Sequence, residues 1–350
     1  MKDAICDRFR HKTGERPSVD TQRPDARVYV HLSAEHVSLY VDTSGEPLFK
    51  RGWRQDKGDA PLKETLAAAM LAASGWWDVK DAAGVSTLQP LYDPCCGSGT
   101  ILIEAAQIAL GIPAGSQRRF GFERLLPFQA HVWDAMKSEA LSAAYMPANH
   151  RNDAQNDENK LDIYGSDVAF RMVDFAQRNA ELAGVGQVLQ LRGGDALQRK
   201  PPCDVPPQGA VILTNPPYGE RIEVAGVARV AGASNSGRGS PRVHTLRSRD
   251  VPRDEFDRPI EISDQTPQTS NGTRPARETA EFNADEGDFF PQLATHWKTH
   301  FDGWTAHLLV PDMKLPGKMR LKETRRVPLW NGPIECRLFR FDIQGRKAQV

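Results

Sequence analysis

The chain has 350 residues, 39% of them hydrophobic and 26% charged, with 45 lysines and arginines against 45 acids. That length supports a substantial core and more than one module, and the zero formal charge excludes a global basic excess as an argument for nucleic-acid binding. The absence of a membrane-length apolar run and of a signal-peptide pattern in Met1–Arg10 makes a cytoplasmic location the expectation. Five cysteines without a C-x-x-C pair argue against a disulfide framework and against a metal site.

In chain order, Lys2 to Lys12 predicts an amphipathic helix, and Arg27 to Leu32 and His36 to Asp42 predict strands joined by Ser33-Ala34-Glu35. Lys50, Arg51, Arg54 and Lys57 then cluster around Trp53, a pattern that suits phosphate contacts and equally a solvated surface. Next, Leu91-Tyr92-Asp93 reads as a strand, Pro94-Cys95-Cys96-Gly97-Ser98-Gly99-Thr100 as a glycine turn, and Ile101 to Ala106 as helix. Glycines there permit positive φ and close approach of a ligand to the backbone, and a new helix N-terminus favours an anion. No Lys-Ser/Thr follows the glycines as in a P-loop, and Leu102 stands where a dinucleotide fingerprint has its third glycine. A cofactor with an amino-acid end fits better than one with a pyrophosphate, and S-adenosylmethionine is the candidate.

Gly111 to Lys160 reads as an insertion, because about seventy residues separate Asp93 from the next strand-end acid where a dinucleotide fold has about twenty. That acid, Asp167, ends Ile163-Tyr164-Gly165-Ser166-Asp167, a second strand, and is placed to hold a ribose diol. A helix follows from Val168 to Leu182. Leu189 to Ala196 supplies a third strand end, with Asp195 and Ala196 beside an adenine amine; a helix N-cap role for either aspartate stays open.

The apolar run Ala210-Val211-Ile212-Leu213 ends in Thr214-Asn215-Pro216-Pro217-Tyr218-Gly219-Glu220-Arg221. At a strand end, the Asn215 amide oxygen and Pro216 carbonyl can accept both N–H groups of an exocyclic amine, while Tyr218 offers a ring for a planar base. Two prolines stiffen the loop so that its carbonyls keep their aim. A plain turn after the strand is the alternative reading. Glu223 to about Asp285 has too few apolar residues to fold alone and is expected to be disordered. Beyond it come a helix over Phe289 to His300 and a strand over Thr305 to Val310, where His307 is expected to be packed or at an edge rather than catalytic. Lys314, Lys318, Arg320, Lys322, Arg325 and Arg326 form a second basic cluster.

Together Asp93-Pro94-x-Cys96-Gly97-Ser98-Gly99-Thr100, Gly121-Phe122-Glu123 with Trp133, Tyr164-Gly165-Ser166-Asp167 and the Asn215-Pro216-Pro217-Tyr218-Gly219-Glu220-Arg221 loop resemble the THUMP-associated class I methyltransferases. Within these, the resemblance is to bacterial 23S ribosomal RNA guanine-N2 methyltransferases. Ala60 to Ala69 resembles the family's first helix, which covers the cofactor, and Asn331 to Cys336 its final hairpin. The match covers most of Lys2 to Ile222 and Phe289 to Phe341.

The resemblance implies an α/β fold: a Rossmann-like class I seven-stranded sheet over 49–350 with a disordered insertion at 223–285, preceded by a partial THUMP-like RNA-binding segment over 1–48. The segment matches only the last part of a THUMP domain, so the chain is expected to be a shortened version. The expected S-adenosyl-L-methionine site comprises Asp93, Cys95, Gly97, Ser98, Gly99, Asp167, Asp195, Ala196 and Asn215. Catalysis falls to Asn215, Pro216 and Tyr218, RNA contact to Arg221, Arg51 and Arg54, and the partner is 23S ribosomal RNA. A DNA or protein-glutamine methyltransferase using the same loop, and a non-catalytic RNA-binding protein, remain the alternatives.

Overall fold

The structure, a computed structural model, describes residues 1–21, 24–58, 61–77, 79–80, 86–144, 161–217 and 286–344. The expected disordered insertion, 223–285, lies outside the described residues. Two compact units emerge: Met1–Pro47 with Arg119–His131, and Leu48–Arg118 with most of the remaining described chain.

In the first unit, α1 (Lys2–Thr13) stops at Gly14, whose N–H bonds the Arg10 carbonyl. Strands β1 (Val28–Leu32) and β2 (Val37–Val41) pair antiparallel from Val28↔Val41 to Leu32↔Val37, within the expected ranges. Ser33 closes the turn, accepting the His36 N–H on its hydroxyl at 2.9 Å. The Gly121-Phe122-Glu123 motif forms a short 3-10 turn, Gly121–Arg124, held by the Phe122 N–H to the Thr43 carbonyl at 3.0 Å. A Cβ on Gly121 would stand 2.8 Å from the Gly45 nitrogen, so this approach of two backbones needs glycine.

In the second unit, α2 (Glu64–Ser74) precedes the two-residue strands β3 (Val79–Lys80) and β4 (Ser86–Thr87), which the sequence reading did not anticipate. Then come β5 (Leu91–Asp93), α3 (Thr100–Ala109), α4 (Ala130–Ser142), β6 (Ile163–Asp167), α5 (Phe170–Leu182), β7 (Gln190–Gly193) and β8 (Ala210–Thr214). The chain continues through α6 (Glu286–His300), β9 (Trp304–Val310), α7 (Leu315–Met319), β10 (Glu323–Asn331) and β11 (Ile334–Asp342). The expected insertion after Gly111 carries α4, which has no buried residue.

The main sheet has seven strands in the order β10-β11-β9-β8-β5-β6-β7. Strands β7, β6, β5, β8 and β9 are parallel and β11 enters antiparallel. Side-chain alternation divides the core in two. Leu91, Ile163, Val211, Leu213 and Leu309 pack with Leu66, Met70 and Leu71 of α2 and Leu102 and Ala105 of α3. Tyr92, Ala210, Ile212, Ala306, Leu308 and Phe339 pack with Phe290, Leu293 and Trp297 of α6. Both faces are covered, which is why the central strands read as near-continuous apolar runs. Chain order reverses between β5 and β8, so a crevice opens beyond their carboxyl ends. Among the described residues no helix is long and apolar enough to cross a membrane.

One fully buried polar residue breaks the apolar pattern of β9. His307 is 2% exposed with its Nε2 unpartnered, and burial, reinforced by the Arg340 charge, pushes its pKa down to about 3. This settles it as packed. A histidine whose folded pKa lies below its unfolded value of 6.5 contributes stability that is present above about pH 6.5 and lost as pH falls. Below pH 6 the protein should therefore lose about 1.4 kcal/mol per pH unit from this group alone. Denaturant titrations at pH 6, 5 and 4 should show that component missing from His307→Leu; parallel slopes in the two proteins would refute the assignment.

Candidate active site

Asp93 is the last residue of β5, and the chain turns from it through two left-handed glycines, Gly97 and Gly99, into α3. Gly99 has φ 86°, and a Cβ there would come 3.0 Å from the Ala176 Cβ, so the loop can lie this close to α5 only with glycine. At the next strand end Asp167 accepts the Gly97 N–H on Oδ2 at 3.0 Å and the Ala169 N–H on Oδ1 at 2.9 Å. Its carboxylate thus ties the glycine loop to the entry of α5; the N-cap position itself belongs to Ala169. Asp195, just past β7, accepts the Leu197 N–H at 2.9 Å.

These strand ends enclose a cavity of about 190 Å³ lined by Asp93, Cys95, Gly97, Ser98, Asp167, Asp195, Ala196, Asn215 and Pro216, together with Cys96, Thr100, Ile101 and Pro217. Of the expected cofactor residues, only Gly99 is not in the lining; it is the residue from which α3 starts. Asn215 follows β8 directly, and its Oδ1 is a buried acceptor without a partner. Tyr218 and Arg221 lie outside the described residues.

Burial sets the electrostatics. Asp93 is 2% exposed, and desolvation, with the neighbouring Asp167 charge adding to it, pushes its pKa up to about 7 against the pull of the Cys95 N–H. Asp167 is raised as well, again chiefly by burial. The Cys95 and Cys96 thiols are pushed well up by burial and by the nearby aspartates, so both stay protonated and act as small neutral wall. Among the described residues no histidine lines the cavity, and no group of three or more His, Cys, Asp or Glu could hold a metal ion.

Arg51 and Arg54, expected at the RNA, are largely buried and paired with carboxylates. Arg51 pairs through Nε and Nη2 with both carboxylate oxygens of Glu104, at 3.0 and 3.1 Å. Arg54 gives Nε to Glu64 at 2.8 Å, Nη1 to the Ser98 hydroxyl at 2.9 Å and Nη2 to Thr100 Oγ1 at 2.7 Å. Their side chains are only 12% and 13% exposed. The pairing has a plain cause: Glu64 and Glu104 are buried on α2 and α3, and a buried carboxylate needs a cationic partner. Trp53, between them, is itself buried.

The sequence reading passed over Gly58, Met172 and Phe289, which also line the cavity, as do Pro61 and Leu62 of the segment expected to cover the cofactor. Asn179, fully buried on α5, accepts the Gln55 and Asp56 N–H groups on Oδ1 and donates Nδ2 to the Asp56 and Ser98 carbonyls. It thereby fixes the 55–58 segment to the glycine loop. An asparagine within an otherwise apolar helix face was the available signal.

The donor set suits a zwitterion attached to a nucleoside. Asp93 can take an ammonium, the first amides of α3 lack intrahelical acceptors and favour a carboxylate, and Asp167 and Asp195 can receive hydroxyl and amine donors. The unpartnered Asn215 oxygen asks for a further N–H.

Comparison with known proteins follows the same lines. Residues 51–229 match the RMKL-like methyltransferase domain model, UPF0020, and residues 1–42 match the THUMP domain model. The ribosomal RNA large subunit methyltransferase K/L of Psychromonas ingrahamii is 30% identical over 100% of this chain and 36% of its own length. Its namesake in Shewanella pealeana is 32% identical over 96% of this chain and 36% of its own length. The chain thus spans about a third of the length of these curated relatives. Among solved structures, the SMU.472 protein complexed with SAH aligns with TM-score 0.64 and 24% identity, covering 99% of this chain and 70% of that one. A Clostridium difficile 630 protein described as "a possible methylase" gives TM-score 0.65 at 24% identity over 100% of this chain and 70% of that one. The fold is that of class I methyltransferases.

Proposed function

Because the chain belongs to the RMKL-like methyltransferase domain family, we propose that it is an S-adenosylmethionine-dependent methyltransferase that modifies the N2 amine of a guanine in large-subunit (23S) ribosomal RNA. The observation that carries the reading is the unpartnered, buried Asn215 oxygen at the mouth of a cavity built from three strand-end aspartates. Bound there, S-adenosylmethionine would supply an electrophilic methyl group.

Asp93 would hold the donor's ammonium, the start of α3 its carboxylate, Asp167 the ribose diol and Asp195 with Ala196 the adenine edge. The acceptor amine of a guanine is a poor nucleophile because its lone pair is delocalised into the ring. Accepting its two N–H bonds on Asn215 Oδ1 and the Pro216 carbonyl favours the pyramidal nitrogen that attack requires, so no strong base has to act first. The protons would stay on nitrogen until the N–C bond forms and the donor's S–C bond breaks, one then leaving to water, which accords with a cavity wall that has no histidine among the described residues. A guanine must leave its stack to reach Asn215, so loosened or unpaired RNA is the substrate form. We assign residues 1–48 to RNA engagement, in keeping with the THUMP match, and 49–350 to transfer.

Tritium transfer from labelled S-adenosylmethionine to RNA, DNA and protein, measured side by side, tests the substrate class. Label in RNA alone is the expected outcome; label in DNA or protein would reassign the loop to another N-methylation, and retained cofactor with no transfer would make the chain a binding protein.

A further inference from the structure

The second basic cluster of the chain has a place in the fold that the transfer site does not use. Residues 311–342, running from the end of β9 through α7, β10 and β11, carry eight lysines and arginines against four acids, in a chain of zero net charge. Four of these cations pair with the four acids, as Lys318–Asp312, Arg326–Glu323, Arg337–Glu335 and Arg340–Asp342, which leaves Lys314, Arg320, Lys322 and Arg325 in surplus. At the tip of the β10–β11 hairpin stands Trp330, 58% exposed, although the other tryptophans of the sheet region, Trp297 and Trp304, are buried. A large aromatic left in water at a hairpin tip is unusual enough to ask for a partner.

Topology puts this ring at the same edge of the sheet as Asn215. Strand β9 runs parallel to β8, and β11 runs antiparallel to β9, so the hairpin turn projects from the carboxyl edge where Asn215 lies. In register, Arg337 pairs with Val310 at the end of β9, and Trp330 pairs with Glu335, two residues further out. The tip therefore overhangs that edge by roughly 7 Å at about 3.3 Å per residue. Across the sheet, three strand spacings separate β8 from β10, roughly 14 Å at about 4.8 Å each. That is a reach of a few nucleotides from the target amine.

We propose that Trp330 is a stacking platform for single-stranded RNA flanking the nucleotide that enters the Asn215 loop, with the surplus cations of the same segment following the phosphates. The proposal rests on the methyltransferase reading above and adds where the substrate strand runs. An exposed ring on a segment that also carries surplus cations is what a sequence-tolerant single-strand track requires: charge follows the phosphates while the ring receives a base face. The sheet delivers the strand toward the catalytic loop along one edge. A protein partner would be served by the same ring but gains nothing from its alignment with Asn215 or from the charge surplus.

The test uses the full chain and three readouts: binding of a labelled single-stranded oligoribonucleotide from the target region, binding of S-adenosylhomocysteine, and thermal unfolding. Trp330→Ala should weaken RNA binding roughly tenfold, as expected for one lost base stack, while cofactor affinity and unfolding temperature stay unchanged. Trp330→Phe should recover most of the loss, because it restores a ring face. RNA affinity unaltered in Trp330→Ala would overturn the proposal and leave the ring to a protein partner. Equal loss in the Phe and Ala variants, or wild-type protein that binds no RNA, would overturn it too. Cofactor binding reports separately on the transfer site: a wild-type chain that binds RNA through Trp330 but no S-adenosylhomocysteine would sink the methyltransferase reading instead.

Discussion

Asn215→Ala should lower methyl transfer by about 10²–10³-fold while leaving S-adenosylhomocysteine affinity within about twofold, the loss expected when one acceptor aimed at developing charge is removed from a dry site. The physical basis is the state of its side chain. Asn215 Oδ1 is buried at the end of β8 and has no partner, so the protein already bears the cost of a desolvated acceptor that only an incoming N–H can satisfy. Alanine removes that cost, so the variant should be no less stable than the parent, and a fall in rate cannot be attributed to unfolding. Asp167→Ala makes the complementary case. Its carboxylate holds the Gly97 N–H and lines the cavity, so its loss should weaken cofactor binding by tenfold or more and disturb the glycine loop. Calorimetry of S-adenosylhomocysteine binding beside single-turnover transfer rates separates the two. Equal loss of cofactor affinity in both variants would refute this division of roles.

The affinity for S-adenosylhomocysteine should rise with pH up to about 7 and then level, because Asp93 must be ionised to receive the ammonium. Burial raises this carboxyl from 3.8 to about 7, so folding favours its neutral form. In the free protein the stability contributed by that neutral form is fully present below about pH 4 and is lost as pH rises through about 7. A bound ammonium reverses the preference by pairing with the carboxylate, so binding below pH 7 must expel a proton. Between pH 5.5 and 6.5 the dissociation constant should fall by up to about tenfold, the limit for one linked proton. The α-amino group of the ligand, with an ordinary pKa of about 7.7–8.0, remains cationic in that window. Asp93→Asn should bind more weakly and lose the pH dependence, and the free variant should gain stability at pH 8. Repeating the titrations in buffers of different ionisation enthalpy counts the proton directly. A flat wild-type profile, or an Asn variant that keeps the slope, would show that Asp93 does not meet the ammonium.

What could be read from the sequence was whatever the parallel sheet imposes locally. Strand β8 stands where an apolar run ends before Asn215, β6 where the short Ile163-Tyr164-Gly165-Ser166 stretch ends in Asp167, and the glycine turn after Asp93 leads into a helix as its spacing requires. Those elements carry most of the cavity wall, so most of the expected cofactor residues came together in space. Contacts set by long-range packing were not legible. Arg51 and Arg54 belong to a stretch that looks like a basic surface, and only the burial of Glu104 and Glu64, fifty-three and ten residues away, turns them inward. Asn179 reads as an ordinary polar helix residue until the 55–58 segment is laid against it. The short strands β3 and β4 are two residues each, below what side-chain periodicity can reveal. Trp330 was passed over for the opposite reason: in sequence it looks like a core tryptophan, and only the register of β10 on β11 places it at an exposed tip.

The most direct test of the account is the chemical identity of the methylated nucleoside. Purified protein would be incubated with labelled S-adenosylmethionine and undermethylated 23S ribosomal RNA, and the RNA digested to nucleosides and resolved by mass. The account predicts label in N2-methylguanosine, lost in Asn215→Ala. Label in any other nucleoside, or transfer that survives Asn215→Ala, would contradict it.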